Sequence, residues 1–387
     1  MKYYIGLDVS MKETSICIVD ECGQIVFEAD VLTLPNEIYA CIKASGFKTQ
    51  LAGLESGSLS HWLVDSLGKL GLPTICVCSR KMAAILSLTI NKTDKNDARG
   101  IAQAIRAGYY RKVHHKSQHA VELSTLMGAR RSLVNQRTNS MNTIRGLFKS
   151  YGIIVGIANA SRFFAKVETL LEKLSKEAQI GIKSLLGSFL IVNNELLVLD
   201  RIVEKIALQD PIIKRFLTIP GIGPITALTY KMTIDDPYRF KKSRSVGAYI
   251  GVTPTQYSSG ETHRQGKVSK CGSSELRYLL CEAATSLMLR TKIWNKDKAW
   301  AHKLMKKHGF GKARMALARK LAVKMHRMWV DEKDYEWVDI KPEEIKALEK
   351  AKKDRKKVKI KPLRKETQDE LELAKVKKEV SELLCVQ

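Results

Sequence analysis

The most constraining feature of the chain is an aspartate inside its first apolar run. Residues 4–12 begin with the apolar and β-branched side chains that are typical of a buried strand, and Asp8 lies in the middle of that run. A buried carboxylate costs free energy unless it is paired with a cation or binds a metal ion. Asp8 alone therefore leaves two interpretations open, a structural ion pair or one ligand of a cation site.

Length and cysteine usage predict a cytoplasmic protein of several domains. The 387 residues suffice for two or three domains with buried cores. The chain has no run of about 18 apolar residues and its N-terminus lacks the layout of a signal peptide, so we expect a cytoplasmic protein. The eight cysteines fit neither a zinc ligand set nor a disulfide framework, and we expect reduced thiols.

The positive charge is concentrated in one segment. Of the net charge of +26, residues 1–112 carry +2, residues 113–209 carry +6, residues 210–330 carry +17 and residues 331–387 carry +1. We predict these as four parts: an α/β domain, a helical coiled-coil region, a basic domain and a Lys/Glu-rich tail. A strongly basic segment favours a polyanionic partner, so we expect the third part to bind nucleic acid.

The first part alternates short apolar runs with turns and a helical pattern. We predict strands at residues 3–9, 14–19, 24–29, 51–57 and 73–78, and a helix at residues 61–70. Glu55 stands near the end of the fourth predicted strand. A second carboxylate therefore belongs to a strand that should be buried.

Two more carboxylates stand three residues apart on the helix that follows. Asp94 and Asp97 share one helix face, where they could be a solvated pair neutralised by neighbouring basic residues such as Lys92, Lys95 and Arg99. Together with Asp8 and Glu55, however, they form a set of hard oxygen donors suited to Mg²⁺. Two such ions about 4 Å apart would hold a scissile phosphate and activate an attacking oxygen.

The middle part is predicted to consist of long helices. Apolar residues recur every seven positions as Met127, Val134, Met141 and Phe148, the spacing of a coiled-coil seam. A second helical run at residues 167–206 is expected to be interrupted near its two glycines, at positions 181 and 187. The pattern fits a helical hairpin or a dimerisation arm.

The basic part opens with a Pro-Gly-x-Gly turn that contains Gly221 and Gly223 and leads into a helix. Free backbone N–H groups at a helix N-terminus bind phosphate. The turn resembles the hairpin of helix-hairpin-helix DNA-binding modules, although a plain loop between helices is an alternative.

A polar loop is predicted at residues 256–272. It contains the serines 258, 259 and 269 among the basic residues Arg264, Lys267 and Lys270, which could cradle a phosphate beside a serine hydroxyl. The helical region that follows is strongly basic up to residue 328.

These motifs, taken in order, resemble the DEDD-type insertion-sequence transposases, a family of RNA-guided DNA recombinases. The resemblance covers Glu55, Leu276-Arg277 and residues 5–8, 94–98, 219–224, 249–254, 259–260 and 268–272. Cys271 stands where the family pattern leads us to expect another residue type, and the long tail lies outside the pattern.

The resemblance implies an RNase H-like, RuvC-like first domain that binds Mg²⁺ through Asp8, Glu55, Asp94 and Asp97, and a mainly α C-terminal transposase domain. It implies a serine nucleophile at Ser259, next to Ser258, and a covalent phosphoserine link to DNA. It further implies a composite active site shared by two subunits, in dimers that assemble into a tetramer. A structured noncoding RNA would pair with donor and target DNA.

Three other functions compete with this interpretation. A RuvC-like nuclease would use the same carboxylates to cut Holliday junctions with water. In a nonenzymatic nucleic-acid-binding protein the carboxylates would be structural. A sugar-kinase-like ATPase is disfavoured, because no glycine-threonine phosphate loop follows Asp8 and such an enzyme has no need of the +17 segment.

Overall fold

The computed structural model describes residues 1–88, 90–292 and 294–336, and these residues form two compact units. Unit 1 comprises Met1–Glu122, and unit 2 begins at Leu123. The predicted Lys/Glu-rich tail lies, from residue 337 onward, outside the described residues.

Unit 1 is built on a five-stranded mixed sheet with four helices. Its elements are β1 Tyr3–Val9, β2 Glu13–Val19, β3 Ile25–Leu32, α1 Pro35–Ala44, β4 Thr49–Glu55, α2 Ser60–Lys69, β5 Thr74–Val77, α3 Ser79–Leu86 and α4 Asp94–Arg106. The strand order is β3-β2-β1-β4-β5, with β1, β2 and β3 antiparallel and β1, β4 and β5 parallel. This is the order of an RNase H-like sheet, which confirms the predicted fold class of the N-terminal region.

The two faces of the sheet bury different side chains because successive residues of a strand point to opposite sides. On one face Ile5 and Leu7 of β1 join the core that includes Ile38 of α1 and Leu63 of α2. On the other face the sheet packs against α4.

The contact between the sheet and α4 depends on a glycine. A Cβ atom on Gly6 would lie 2.0 Å from the carbonyl oxygen of Ala98 and 2.5 Å from the amide nitrogen of Ala102. Only a residue without a side chain allows the helix backbone to approach β1 this closely. Gly53 plays a similar part on β4, where a Cβ atom would lie 2.5 Å from Cδ1 of Ile105.

The rest of the described chain is mainly helical. The helices are α5 Gln118–Lys149, α6 Ala160–Leu171, α7 Lys176–Gln209, α8 Pro211–Leu217, α9 Pro224–Ile234, α10 Ser245–Ile250, α11 Ser274–Leu289, α12 Lys296–His308 and α13 Phe310–Val330. Two strands, β6 Pro254–Ser259 and β7 Thr262–Val268, form a separate antiparallel ribbon. A long-helix middle and a mainly α C-terminal region are as predicted.

The long helices of unit 2 contribute to two apolar cores. Phe148 of α5, Phe163 of α6 and Phe189 of α7 belong to one, and Phe216 of α8 and Tyr230 of α9 belong to the other. The expected interruption of the second helical run at its glycines is wrong, because α7 continues through both of them and the break falls before it, between α6 and α7.

By length and composition alone, α7 could also cross a membrane, which is weak evidence for a span. Its side chains Ile182, Leu186 and Phe189 belong to a buried core of this unit.

The stretch predicted as a polar loop at 256–272 is instead largely the β6–β7 hairpin. The strands are joined by a two-residue turn that starts at Gly260, whose φ of +54° suits glycine. Threonine, tyrosine and valine among its polar residues provide the β-forming side chains that the loop prediction undervalued.

We expect Gly6→Ala to loosen α4 because the new methyl group would overlap the backbone of Ala98. Overpacking of this kind costs roughly 1–3 kcal/mol, so amide hydrogen exchange of α4 should become roughly 5- to 150-fold faster. The matched control is Gly68→Ala in α2, where a Cβ atom meets nothing within 4 Å and exchange should stay equal or slow down. Equal exchange of α4 in the two variants would contradict this account of the contact.

Candidate active site

Asp8 lies on the face of the sheet that packs against α4. It follows Gly6 by two residues, so both point to the same side of β1, and Gly6 contacts the backbone of Ala98 and Ala102. The first turn of α4 precedes Ala98 directly. Strand alternation and the glycine contact thus direct the Asp8 carboxylate toward the N-terminal end of α4.

Glu55 occupies the equivalent place on the neighbouring strand. The parallel register pairs Gly6 with Gly53 and Leu7 with Leu54, so Asp8 and Glu55 come next at the carboxyl ends of two adjacent strands. Glu55 also follows Gly53 by two residues and therefore shares its face, the one that contacts α4.

Asp94 and Asp97 stand in the first turn of α4. Thr93 caps the helix by accepting a hydrogen bond from the amide of Asn96. The positive end of the helix dipole favours negative charge in this turn. Asp97 is buried, with 8 % of its surface exposed, whereas Asp94 is exposed.

The electrostatics of Asp8 and Glu55 show that the four carboxylates form one cluster, the carboxylate quartet. Burial, followed by the charges of Asp97 and Asp94, raises the pKa of Asp8 to about 6. Burial and the charges of Asp8 and Asp97 also raise the pKa of Glu55. Lys92 opposes both shifts only in part.

The other basic residues near the quartet are engaged elsewhere. Arg99 forms a bidentate ion pair with Glu28 of β3, with N–O distances of 2.6 and 2.8 Å. Lys95 lies 3.3 Å from Asp30 on the same strand. The predicted alternative, in which these cations neutralise Asp94 and Asp97, is therefore wrong for Lys95 and Arg99.

The donor set of the quartet fits a hard divalent cation. It offers only carboxylate oxygens, the ligand type that Mg²⁺ and similar ions prefer. Among the described residues no three of these carboxylates bring their oxygens within 4.8 Å of one another, an open arrangement that suits groups of like charge. The cluster thus gathers four carboxylates, and burial and neighbouring charges raise the pKa of two of them, Asp8 and Glu55.

The two candidate serines lie on opposite faces of the β6–β7 hairpin. Ser259 is paired across the ribbon with Thr262, and Tyr257 is paired with Arg264, so Ser259 and Arg264 share one face. Ser258 faces the other way, and its Oγ lies 3.1 Å from Nδ1 of His263. Ser269, the third serine of the stretch, comes after β7 and its hydroxyl is buried.

The base of the hairpin is anchored by an arginine of α11. Arg277 donates hydrogen bonds from Nη1 to the carbonyl oxygens of Ile250 and Gly272, at 3.0 and 3.1 Å. Gly251 allows the close approach of the segment that leaves the hairpin, since a Cβ atom there would lie 2.2 Å from the carbonyl oxygen of Cys271. The cysteine that departs from the family pattern thus takes part in this contact through its backbone.

A basic groove with a volume of about 1540 Å³ lies beside the hairpin. One glutamate and eight basic residues line it, the latter being Arg244, Lys267, Lys270, Arg277, Lys312, Arg314, Arg319 and Lys320. Within the part of the chain that the structure describes, Lys267, Lys312 and Arg319 have no acidic partner within 4.0 Å. Lys320, by contrast, is held 2.9 Å from the buried Asp297.

The residues of the basic part that the sequence predicted to bind nucleic acid therefore do not all lie at one site. Lys267 and Lys270 line the groove, whereas Arg264 does not. Gly221 belongs to the turn between α8 and α9 and packs against α11, since a Cβ atom there would lie 2.7 Å from the carbonyl oxygen of Ala283. Gly223 is the N-cap of α9. A nucleic-acid contact at this turn stays a prediction.

Residues of the groove that the motif search missed come from α13. Lys312 and Arg319 are seven residues apart on this helix and so lie on one face. That spacing of basic residues was a readable signal of a charged helix face.

Two family models match the chain. One, described as Transposase IS116/IS110/IS902 family, matches residues 213–301, and a second, a DEDD transposase model of the IS110 type, matches residues 5–153. The chain belongs to this family of transposases. As a member of this DNA-transposing family, it is an enzyme of phosphoryl transfer that acts on DNA, as the sequence motifs predicted.

Curated relatives agree with this family. The transposase for insertion sequence element IS1111A of Coxiella burnetii is 29% identical over 327 residues, which cover 82% of this chain and 87% of the relative. A putative transposase of Sinorhizobium fredii is 30% identical over 60% of each chain. The transposase for insertion sequence element IS1328 of Yersinia enterocolitica is 26% identical, covering 70% of this chain and 81% of the relative.

Among solved structures, RuvC of Thermus thermophilus in complex with a Holliday junction substrate matches 29% of this chain and 100% of its own, with 13% sequence identity and a TM-score of 0.24.

The raised pKa of Asp8 predicts a pH dependence in metal-free buffer with EDTA. Between about pH 4 and pH 6 the folded chain keeps a proton on Asp8 that the unfolded chain releases, so the stability of unit 1 should fall as the pH rises. Asp8→Asn should remove this loss, about 1–2 kcal/mol after allowance for solvent screening.

Hydrogen exchange of β1 and α4 across this pH range measures the effect. Asp30→Asn is the control, because hydrogen bonds from Ser15 and Lys95 lower the pKa of that carboxyl, which is then ionised in the folded and the unfolded chain alike above about pH 5; its removal should leave the slope there unchanged. A wild-type dependence that persists unchanged in Asp8→Asn would show that other groups cause it.

Proposed function

We propose that the transposase cuts and rejoins DNA strands at the ends of an insertion sequence, using the carboxylate quartet with Mg²⁺ and a serine nucleophile. The observation that carries the proposal is the convergence of Asp8, Glu55, Asp94 and Asp97 at one end of the sheet. Arg99 and Lys95 pair with β3 instead, which leaves the quartet suited to an external cation. Mg²⁺, when bound there, supplies neutralisation of a phosphate and activation of an attacking oxygen.

In this proposal residues 1–112 hold the metal, residues 113–209 join subunits and residues 210–330 carry the serine and bind nucleic acid. The active site would be composite, with the quartet and the serine coming from two subunits. The enzyme would act in the cytoplasm, at the nucleoid.

Ser259 is the proposed nucleophile. Its Oγ would attack a DNA phosphorus atom, forming a phosphoserine ester as the bond to a deoxyribose oxygen breaks, and the serine proton would leave to a base while the released oxygen gains one. Arg264 on the same face would offset the charge of the attacked phosphate. Attack by the released hydroxyl of another strand would reverse the linkage and rejoin the DNA.

Ser258 is the alternative nucleophile. Its hydroxyl already has a possible proton acceptor in His263, 3.1 Å away. Ser258 thus lies beside a base, whereas Ser259 shares its face of the hairpin with a cation. Substituting each serine in turn distinguishes the two candidates.

The basic groove beside the hairpin is proposed to bind the phosphate backbone of a structured noncoding RNA that guides the reaction. Lys267, Lys312 and Arg319, which have no acidic partner among the described residues, can neutralise phosphates whatever the base sequence. Base pairing between that RNA and the DNA would then select the sites.

A second copy of the chain is proposed to cover an apolar stripe on α7. Ile180, Ile191, Val198 and Ile202 fall within about 40° of one another around the helix, and all are exposed. Residues 11 and 7 apart on a helix line one face, the pattern of a helix that pairs with another. Dimers formed in this way would assemble into the predicted tetramer.

We expect Ser259→Ala to abolish a covalent protein–DNA adduct that wild type forms in Mg²⁺ with DNA carrying the element ends and their flanking noncoding segments. Ser258→Ala, the matched control, should retain the adduct. Asp97→Asn should lose it as well, since it removes a metal ligand. The measurement is denaturing electrophoresis of labelled DNA after nuclease trimming. Strand cleavage without any adduct in wild type would favour the water-using nuclease.

We expect Lys267→Ala and Arg319→Ala each to weaken RNA binding and to lower the slope of log K against log salt by about 0.7–0.9, because each loses one phosphate contact. Lys173→Ala, an exposed lysine of α6–α7 outside the groove, is the control. Fluorescence anisotropy with a folded RNA transcribed from the flanking segments, and with duplex DNA, measures both partners. Equal slopes in all variants would place the nucleic acid elsewhere.

We expect Ile191→Asp to shift the transposase toward monomer, because a charge would be buried in the interface between two copies. Leu197→Asp, which is exposed on another side of α7, should leave the assembly unchanged. Analytical ultracentrifugation of both variants decides, and an unchanged oligomer in Ile191→Asp would contradict the α7 interface.

A further inference from the structure

A second cluster of metal-ligating side chains lies in unit 1 and consists of His61, Asp65 and His115. His61 and Asp65 are four residues apart on α2 and therefore share a helix face. His115 comes from the segment that follows Lys112, and Lys112 forms an isolated antiparallel bridge with Val77 of β5. The amide of Val113 donates a hydrogen bond to the carbonyl of Cys76, and this pairing brings the segment alongside the sheet.

The three side chains converge. Nε2 of His115 lies 2.7 Å from Oδ1 of Asp65, and Nδ1 of His61 lies 3.9 Å from Oδ2 of the same carboxylate. The two imidazole rings are 3.9 Å apart between centroids, at 35°. One ligand atom from each residue lies within 4.8 Å of the other two, the single such group among the described residues.

An ion pair between His115 and Asp65 would explain only part of this arrangement. It does not account for His61, whose Nε2 atom is buried and has no hydrogen-bond partner within the described parts of the chain. Buried polar atoms in folded proteins nearly always have a partner. An ion bound through Nε2 of His61 would supply that partner and engage both imidazoles and the carboxylate together.

We propose that His61, Asp65 and His115 bind a zinc-type transition metal ion, separate from the carboxylate quartet. Two imidazoles and a carboxylate are ligands that Zn²⁺ takes at about 2.0–2.2 Å, with a fourth position left for water. Such a site needs ligand atoms about 3.3 Å apart, so the contact between Asp65 and His115 opens slightly and that between Asp65 and His61 closes. The all-oxygen quartet selects a harder ion.

The ion would fasten the segment that leads into α5 to helix α2. His115 is the third residue before Gln118, where α5 begins. The site therefore has a structural consequence that does not depend on the proposed function: it holds the exit of the chain from the sheet.

The test uses the full-length protein, freed of metal and titrated with Co²⁺ and then Zn²⁺. We expect one equivalent of Co²⁺ to give the strong visible absorption of a four-coordinate site and Zn²⁺ to remove it. Zn²⁺ should also slow hydrogen exchange of residues 113–117. Asp97→Asn should retain the band, because the quartet is a different site.

Substitutions assign the ligands. Asp65→Asn and His115→Ala should weaken Co²⁺ binding at least about tenfold, while His119→Ala, an exposed histidine in the first turn of α5, should not. A wild-type protein that shows no stoichiometric Co²⁺ band overturns the proposal whether or not the variants fold. So does a thiolate-to-cobalt band in the near ultraviolet, which would assign the ion to cysteines.

Discussion

The close contact between Gly6 and the backbone of α4 is the constraint on which the arrangement of the carboxylate quartet depends. A carbonyl oxygen occupies the place where a side chain would begin, so the helix sits directly on the strand. Asp8 is two residues beyond that contact on the strand, and Asp97 directly precedes Ala98 on the helix. The same packing that buries the sheet face therefore brings carboxylates of different elements together. The geometry of the site follows from the geometry of the core.

Charge is distributed in opposite ways in the two units. Around the quartet, Arg99 and Lys95 form ion pairs with Glu28 and Asp30 instead, and burial together with the charges of Asp97 and Asp94 raises the pKa of Asp8. In unit 2 the groove gathers basic side chains, and among the described residues Lys267, Lys312 and Arg319 have no acidic partner. The quartet in unit 1 offers local negative charge suited to a divalent cation, and the groove in unit 2 offers positive charge suited to phosphates. A phosphoryl-transfer enzyme needs both.

The sequence predicted those features of the site that depend on residues close to one another in the chain. Asp8 and Glu55 were recognisable because each carboxylate belongs to an apolar strand that should be buried, and Asp94 with Asp97 because helix spacing puts them on one face. The prediction that these four carboxylates converge rested on their number alone, because the register of the strands cannot be read from the sequence. The family motifs then supplied the serine.

Features that depend on distant contacts escaped prediction. The hairpin at 254–268 was interpreted as a loop because polar residues hid its alternation. The glycines of α7 were expected to break a helix that Ile182, Leu186 and Phe189 stabilise by packing, at a cost of about 1 kcal/mol for each glycine. His61 and His115 are 54 positions apart, and no spacing rule connects them.

The hairpin that carries both serines is a ribbon of only two strands, and ten of its thirteen strand residues are exposed. A ribbon of this kind has little stability of its own in water, so its tip takes its order from the anchored base at Arg277 and from whatever binds it. The proposed serine nucleophile would then be held in line with a phosphate mainly while nucleic acid is bound. The low stability of the ribbon would thus limit unwanted DNA cleavage, because the serine would be poorly positioned when no substrate is bound.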